Sequence, residues 1–157
     1  MYKNIFVQLL MVILLASCSV ADPKIQLKEQ GIIGGYNEKE LDRAKDLYTC
    51  GNFFLMVSNV LQTNVKSNRY TELSGTAEVL ANSLLAKSDE NSEELDVALA
   101  KNYKEFASWK SKKMIRSVGK DATGKLFNLY VTSCEKTIKR EDLMSATDNL
   151  SKRLTKN

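Results

Sequence analysis

The sequence contains no histidine, a single proline, seven glycines and three cysteines among its 157 residues. Without histidine the chain lacks the side chain that most often acts as a general base near neutral pH and most often binds transition metals. Because proline interrupts helices, its scarcity permits long helices almost throughout the chain. The sequence therefore favours an all-α protein and argues against histidine-dependent catalysis or metal binding.

The overall composition is that of a globular protein with one domain. Hydrophobic residues make up 43% of the chain and charged residues 27%, which is far from the composition of disordered chains. The length matches the usual size of a single domain. A net charge of +4 serves solubility and does not indicate a nucleic-acid partner.

The N-terminal residues have the organisation of a secretory signal peptide. Lys3 precedes an apolar run over residues 5–16, which is interrupted only by Gln8 and is followed by Ser17, Cys18 and Ser19. This run is shorter than the roughly 20 apolar residues that span a bilayer. The pattern is typical of a signal that is removed after export.

The end of this run, Leu15-Ala16-Ser17-Cys18, resembles the lipobox of bacterial lipoprotein precursors. The resemblance implies that residues 1–17 are cleaved, that Cys18 is acylated, and that the lipid anchors the protein to a membrane. Ser19 after the cysteine implies an outer-membrane location facing the periplasm. The alternative is an ordinary secretory signal that is cut after Ala21.

The cysteine count supports the lipidation of Cys18. Once Cys18 is assigned to lipid, Cys50 and Cys134 remain as an even pair in an oxidising compartment. A bridge between them would close a loop of about 85 residues and stabilise the fold by roughly 4.5 kcal/mol. The alternative is a pair of buried free thiols.

Hydrophobic periodicity predicts an all-α bundle of four to five helices over residues 37–157, preceded by a lipidated N-terminus and tether at residues 18–36. The predicted helices are Glu38 to Thr63, Tyr70 to Lys87, Ser92 to Gly119, Ala122 to Lys139 and Glu141 to Thr155, the last two either separate or continuous. The first is apolar nearly all round in its second half, as expected of a central helix. Cys50 and Cys134 lie on the apolar faces of the first and fourth helices, so that a bridge would join two non-adjacent helices.

The segment Gly119 to Lys125 fits the phosphate-binding pattern G-x-x-x-x-G-K. However, Leu126 stands where that pattern needs a serine or threonine to hold magnesium, and a helix rather than a strand is predicted before it. The favoured interpretation is a connection between two helices, with Gly119 as the C-terminal cap of the first.

The second half of the third predicted helix carries a cluster of basic residues around a tryptophan. The cluster consists of Trp109, Lys110, Lys112, Lys113, Arg116 and Lys120. It is a candidate binding patch for anionic lipid headgroups, lipopolysaccharide phosphates or an acidic protein surface. The alternative is that the cluster follows from the helix dipole, because the same helix opens with Glu93, Glu94 and Asp96.

The remaining charged residues indicate no catalytic site. The carboxylate pairs Glu38 with Glu40 and Glu141 with Asp142 fall at predicted helix starts, where capping and the helix dipole explain them. The sequence contains no credible acid and base pair, no metal-ligand spacing and no cofactor motif. It therefore predicts a protein that acts by binding, without enzymatic activity, metal or cofactor.

Small exported helical proteins with one long-range disulfide resemble periplasmic immunity proteins of the Tai4/Rap type, and Cys50 and Cys134 carry that likeness here. The resemblance implies an envelope lipoprotein whose helical domain binds or blocks a protein partner, as immunity and exclusion lipoproteins do. The alternative function is that of a structural accessory lipoprotein in an envelope assembly such as a secretion or pilus apparatus.

Overall fold

The computed structural model describes residues 22, 36–61, 65–86 and 93–154. Four helices account for nearly all of these residues, and the described part of the chain contains no strand. The helices are α1 (Glu38–Leu61), α2 (Val65–Leu85), α3 (Glu93–Lys120) and α4 (Lys125–Leu154). The all-α prediction is therefore confirmed. The lipobox lies outside the described residues.

The predicted start of α2 was wrong, and the prediction had left open whether the last two helices are continuous. Helix α2 begins at Val65 rather than Tyr70, because Asn68 and Arg69 in its first turns are exposed and add nothing to the apolar stripe. The two last predicted helices are one continuous helix, α4, since neither glycine nor proline interrupts the chain before Glu141. Glu141 is buried in the middle of α4, which corrects its interpretation as a helix start.

Helix α1 is the centre of the bundle, as its apolar sequence predicted. Its side chains Leu47, Phe53 and Phe54 have no exposed surface. The cluster around them contains Leu41, Ala44, Leu47, Tyr48, Cys50, Phe53, Phe54, Val57, Tyr70, Ala77, Leu80, Ala81, Leu84, Leu85, Leu99, Tyr103, Ala107, Cys134 and Ile138. All four helices contribute to this core. The N-terminus of α1 is capped by Asn37, whose side-chain oxygen accepts a hydrogen bond from the backbone N–H of Lys39 at 2.9 Å.

Helix α2 runs antiparallel to α1 and approaches it closely. Tyr48 donates a hydrogen bond to Asn82 near one end of the pair, and the ring of Phe54 stacks on Tyr70 near the other. Between them, a Cβ atom placed on Gly51 would lie 3.2 Å from both the Cβ of Ala77 and the carbonyl oxygen of Ser74. The two backbones can approach this closely only because position 51 has no side chain.

Helices α3 and α4 pack on the remaining sides of α1. Helix α3 runs parallel to α1, and the buried hydroxyl of Ser111 donates a 2.9 Å hydrogen bond to the carbonyl oxygen of Thr49. Helix α4 runs antiparallel to α1, with the rings of Phe127 and Tyr130 packed on Phe53. The chain therefore alternates direction from one helix to the next.

The turn between α3 and α4 is built by Asp121. Its carboxylate accepts hydrogen bonds from the hydroxyl of Thr123 at 2.6 Å, from the backbone N–H of Leu126 at 2.6 Å and from the backbone N–H of Thr123 at 3.0 Å, and these bonds lower the pKa of Asp121. Gly124 has a φ of 68°, the left-handed conformation that favours glycine. Gly119 instead lies within α3, which corrects its prediction as a cap.

Candidate binding surface

The cysteines predicted to pair are bridged. The Sγ atoms of Cys50 and Cys134 lie 2.11 Å apart and their Cα atoms 5.2 Å apart, so that a disulfide joins α1 to α4 across 84 positions of sequence. Cys18 lies outside the described residues, and its acylation stays a prediction.

A buried ion pair forms a second connection between α4 and α1. The carboxylate of Glu141, with 2% of its side chain exposed, accepts hydrogen bonds from both Nε and Nη2 of Arg43, the first at 2.7 Å. Arg140 Nη2 lies 3.1 Å from the other carboxylate oxygen. The hydrogen bond to Glu141 raises the pKa of Arg43, although burial opposes this.

Sequence reasoning missed this ion pair, although one signal for it was available. Cys134, Ile138 and Glu141 follow one another at spacings of four and three residues, and all three are buried. An acidic residue that continues the apolar stripe of a helix requires a buried basic partner. The partner itself could not be identified, because Arg43 lies 98 residues away.

The predicted basic patch has an aromatic centre in the structure. The Nζ atom of Lys113 lies 3.9 Å from the centroid of the half-buried Trp109 ring. The ring of Trp109 packs on Phe106 at 5.6 Å between centroids, and Lys110 Nζ lies 5.9 Å from Phe106. Cations at these distances from ring centroids are attracted by the negative faces of the rings.

The structure divides the six patch residues into two groups. Lys112, Arg116 and Lys120 are exposed, and none of them forms an ion pair with a described carboxylate. Lys110 is half-buried and faces a cleft between α1, α3 and α4. The volume of this cleft is about 310 Å³. Its lining residues are Asp46, Thr49, Cys50, Lys110, Met114, Tyr130, Ser133, Cys134 and Thr137. The outer patch therefore consists of Trp109, Lys112, Lys113, Arg116 and Lys120.

A second, apolar cleft lies beside the outer patch, where the last turns of α1 and α3 meet the first turn of α4. Its volume is about 210 Å³. Its lining residues are Val57, Val60, Leu61, Ile115, Val118, Gly119 and Phe127. Every lining residue is apolar. Sequence periodicity could not reveal this cleft, because it is formed by three helix ends that are distant in the chain.

Asp22 contacts the domain between α1 and α3. The ammonium group of Lys45 lies 2.9 Å from Asp22 and 3.2 Å from Asp42. Burial lowers the pKa of Lys45, but the hydrogen bonds to these carboxylates outweigh burial and raise it. Tyr103 of α3 is fully buried, and its hydroxyl has no hydrogen-bond partner among the described residues; burial, followed by the charge of Asp22, raises its pKa.

The turn at Asp121 argues against the phosphate-loop alternative. A phosphate loop presents free backbone N–H groups to the ligand, whereas here the N–H groups of Thr123 and Leu126 already donate to the Asp121 carboxylate. Gly119, the first glycine of the pattern, belongs to a helix. The segment is a connection between two helices, as the favoured interpretation predicted.

Within the described ranges, no group of three or more histidine, cysteine, aspartate or glutamate residues could hold a metal ion. Among the described helices, none combines the length and the apolar stretch that crossing a membrane requires. In comparisons with known proteins, no family model, no curated protein and no solved structure matches this chain.

Proposed function

We propose that the protein is a membrane-anchored envelope lipoprotein whose helical domain binds or blocks a protein partner, in the manner of immunity and exclusion proteins. The observation that carries the proposal is the outer patch. Lys112, Arg116 and Lys120 are exposed and lack described ion-pair partners, next to the half-buried ring of Trp109. Tryptophan and arginine are enriched among the residues that dominate protein interfaces.

The cation–π contact supports binding by a preformed surface. The Nζ atom of Lys113 lies 3.9 Å from the centroid of the Trp109 ring. The Phe106 ring packs against the same tryptophan, with 5.6 Å between the two ring centroids. A side chain that is already held in place loses less conformational entropy when a partner binds. The positive charge of the outer patch favours an acidic partner surface, because complementary charge speeds association and excludes basic competitors.

The position of Asp22 supports an action close to the membrane. Asp22 contacts Lys45 at 2.9 Å and follows Cys18 by four residues. Four extended residues span at most about 14 Å. If Cys18 carries lipid, the domain is held near the bilayer surface, which raises the local concentration of the outer patch there.

The anchor is tested by labelling cells with a palmitate analogue. We expect label on the wild-type protein, in the membrane fraction, and no label on Cys18→Ala. A wild-type protein without label in the soluble periplasmic fraction would contradict the proposed anchor.

The binding function is tested by crosslinking the full-length chain in its own envelope. We expect one protein at stoichiometric yield, and loss of that product when Lys112, Lys113 and Arg116 are changed to glutamate. The matched control changes Lys101, Lys136 and Lys139, which are equally exposed, to glutamate.

Three outcomes of this experiment oppose the proposal. Equal loss in the control triple variant would indicate a general charge effect. Hydrolysis of an envelope polymer without a stoichiometric partner would indicate an enzyme. Recovery of several subunits of one assembly in constant ratio would support a structural accessory protein instead.

A further inference from the structure

The apolar cleft beside the outer patch is open to solvent and unexplained by the fold. Ile115, Val118 and Phe127 in its wall are only partly buried, and Val60 at its edge is 78% exposed. An apolar side chain that entered this depression would be removed from water, which favours binding.

The size of the cleft indicates what kind of ligand it can hold. Its volume of about 210 Å³ is smaller than the roughly 300–1,000 Å³ of pockets for small molecules and cofactors. A cleft of this size has room for one large apolar side chain. Such pockets receive the anchor residues of protein partners, which contribute most of the binding energy.

The charges near the cleft indicate which residues should lie on either side of the anchor residue. Lys112 and Gly119 lie seven residues apart on α3, so that they occupy one side of the helix two turns apart. Arg116 lies three residues before Gly119 and is exposed like Lys112. Asp121, the nearest acid along the chain, accepts a hydrogen bond from the backbone N–H of Leu126 in the first turn of α4. The mouth of the apolar cleft is therefore positively charged on its α3 side.

We propose that the apolar cleft is an anchor pocket that receives a leucine-sized or phenylalanine-sized side chain from an acidic segment of the partner protein. The proposal rests on the proposed function and specifies the chemistry of the partner. The anchor side chain fills the pocket and packs against Val60, Ile115 and Phe127. Acidic residues on either side of it pair with Lys112 and Arg116.

Gly119 provides a way to close the pocket without changing the core. A Cβ atom added at Gly119 would meet no atom within 4 Å, although Gly119 lines the cleft. Because Gly119 lines the cleft, we expect a leucine at this position to occupy part of the cleft, and its Cβ meets no atom that would prevent it from fitting. Gly75 is the matched control, since it also lies within a helix and a Cβ atom there likewise meets nothing within 4 Å.

The experiment uses the full-length protein in phosphatidylcholine nanodiscs and synthetic peptides as probes. The first peptide carries one leucine between two runs of three glutamates, the second replaces the leucine by alanine, and the third replaces the glutamates by lysines. Binding is followed by NMR of the methyl groups of Val60, Leu61, Ile115 and Val118. We expect saturable shifts with the first peptide, and affinity at least tenfold lower for the second because burial of the leucine is lost.

The variants separate the pocket from the charges. We expect Gly119→Leu to weaken binding of the first peptide at least tenfold and Gly75→Leu to leave it within twofold. The double change Lys112→Glu with Arg116→Glu should weaken the first peptide and strengthen the third. Unchanged binding to Gly119→Leu, or equal binding of the first and third peptides, would overturn the proposal.

Two other occupants are outcomes of the same experiment. Shifts of the same methyl groups on dilution, without peptide, would identify a second copy of the chain as the occupant. Shifts in phosphatidylglycerol nanodiscs without peptide would identify an anionic membrane. Either result would overturn the proposal of a protein anchor.

Failure of this proposal can be told apart from failure of the proposed function. If the envelope partner is lost in the triple variant of the outer patch but retained by Gly119→Leu, the anchor pocket is wrong and the binding function stands. If no stoichiometric partner is found with the wild-type chain, the proposed function fails, whatever the peptides show.

Discussion

Helices α2 and α4 are attached to α1 in different ways. The α1–α2 interface has small residues where the helices are closest, with Gly51 facing Ala77 and the backbone of Ser74. Helix α4 is held to α1 by the bridge from Cys50 and by the ion pair of Arg43, and a cleft of about 310 Å³ remains between α1, α3 and α4. The first interface relies on close packing along its length, whereas the second adds a disulfide and an ion pair to the packing of Phe127 and Tyr130 on Phe53.

The difference predicts where single changes have large effects. A close-packed interface between neighbouring helices spreads its stability over many contacts, so that one change removes a modest share. An interface that depends on a disulfide and a buried ion pair concentrates its stability in a few side chains. Changes at the α1–α4 connections should therefore cost more than changes between α1 and α2.

The largest effect is expected from removing the disulfide. The double change Cys50→Ser with Cys134→Ser should lower the free energy of unfolding by roughly 4 kcal/mol, because the unfolded chain regains the freedom of a loop of about 85 residues. Urea unfolding of wild type and variant, each with and without reductant, measures this. Reductant should affect only the wild type. Equal stability of the oxidised wild type and the variant would contradict the prediction.

The next effect is expected from the buried ion pair. Arg43→Met leaves Glu141 buried with a single basic partner and should cost about 3 kcal/mol in unfolding experiments. The control is Arg69→Met, which removes a pair with Glu135 in which Arg69 is 64% exposed. That change should cost less than about 1 kcal/mol. Similar costs at both positions would show that burial of Glu141 does not matter.

A smaller effect is expected between α1 and α2. Gly51→Ala introduces a Cβ atom 3.2 Å from Ala77 and from the Ser74 backbone, and the backbone cannot move aside cheaply. Overpacking lowers the free energy of unfolding by roughly 1–3 kcal/mol, and the higher helix propensity of alanine offsets about 1 kcal/mol of this loss. We expect a net loss of about 1 kcal/mol in thermal unfolding. A more stable variant would show that the two helices can separate slightly without cost.

The smallest effect has the opposite sign. Gly75→Ala, on α2, meets no neighbour within 4 Å and should stabilise the protein by up to about 1 kcal/mol through helix propensity. The comparison of Gly75→Ala with Gly51→Ala in the same thermal unfolding experiment isolates the effect of close approach. Destabilisation at both positions would remove the evidence for a tight α1–α2 interface.

The same contrast explains how much of the fold the sequence could predict. Local periodicity predicted the central position of α1, and the parity of the cysteines predicted the partner of Cys50. The first turns of α2 carry exposed polar residues and therefore escaped detection. The partner of Glu141 depends on how whole helices are arranged. The periodicity of a single helix carries no information about that arrangement.

The candidate site was predictable in part, for the same reason. The residues of the outer patch lie within three turns of one helix, and the sequence brought them together directly. Lys110 faces the cleft between α1, α3 and α4, and the position of α4 cannot be deduced from the sequence of α3. The sequence therefore placed Lys110 in the patch, although it lies outside the outer patch. The apolar cleft joins Val60, Val118 and Phe127 from three helices and has no sequence signature.

The disulfide also has a consequence for the order of folding. Contacts between α1 and α2 are close in sequence and form early, because a short loop closes quickly. The bridge of Cys50 to Cys134 joins positions 84 residues apart, and thiol oxidation takes seconds to hours. Until the bridge forms, only non-covalent contacts hold Phe127 and Tyr130 on Phe53, so we expect this apolar face to open more often in the reduced chain than in the oxidised protein. The supply of oxidant therefore sets how long the chain remains in this less stable, reduced state.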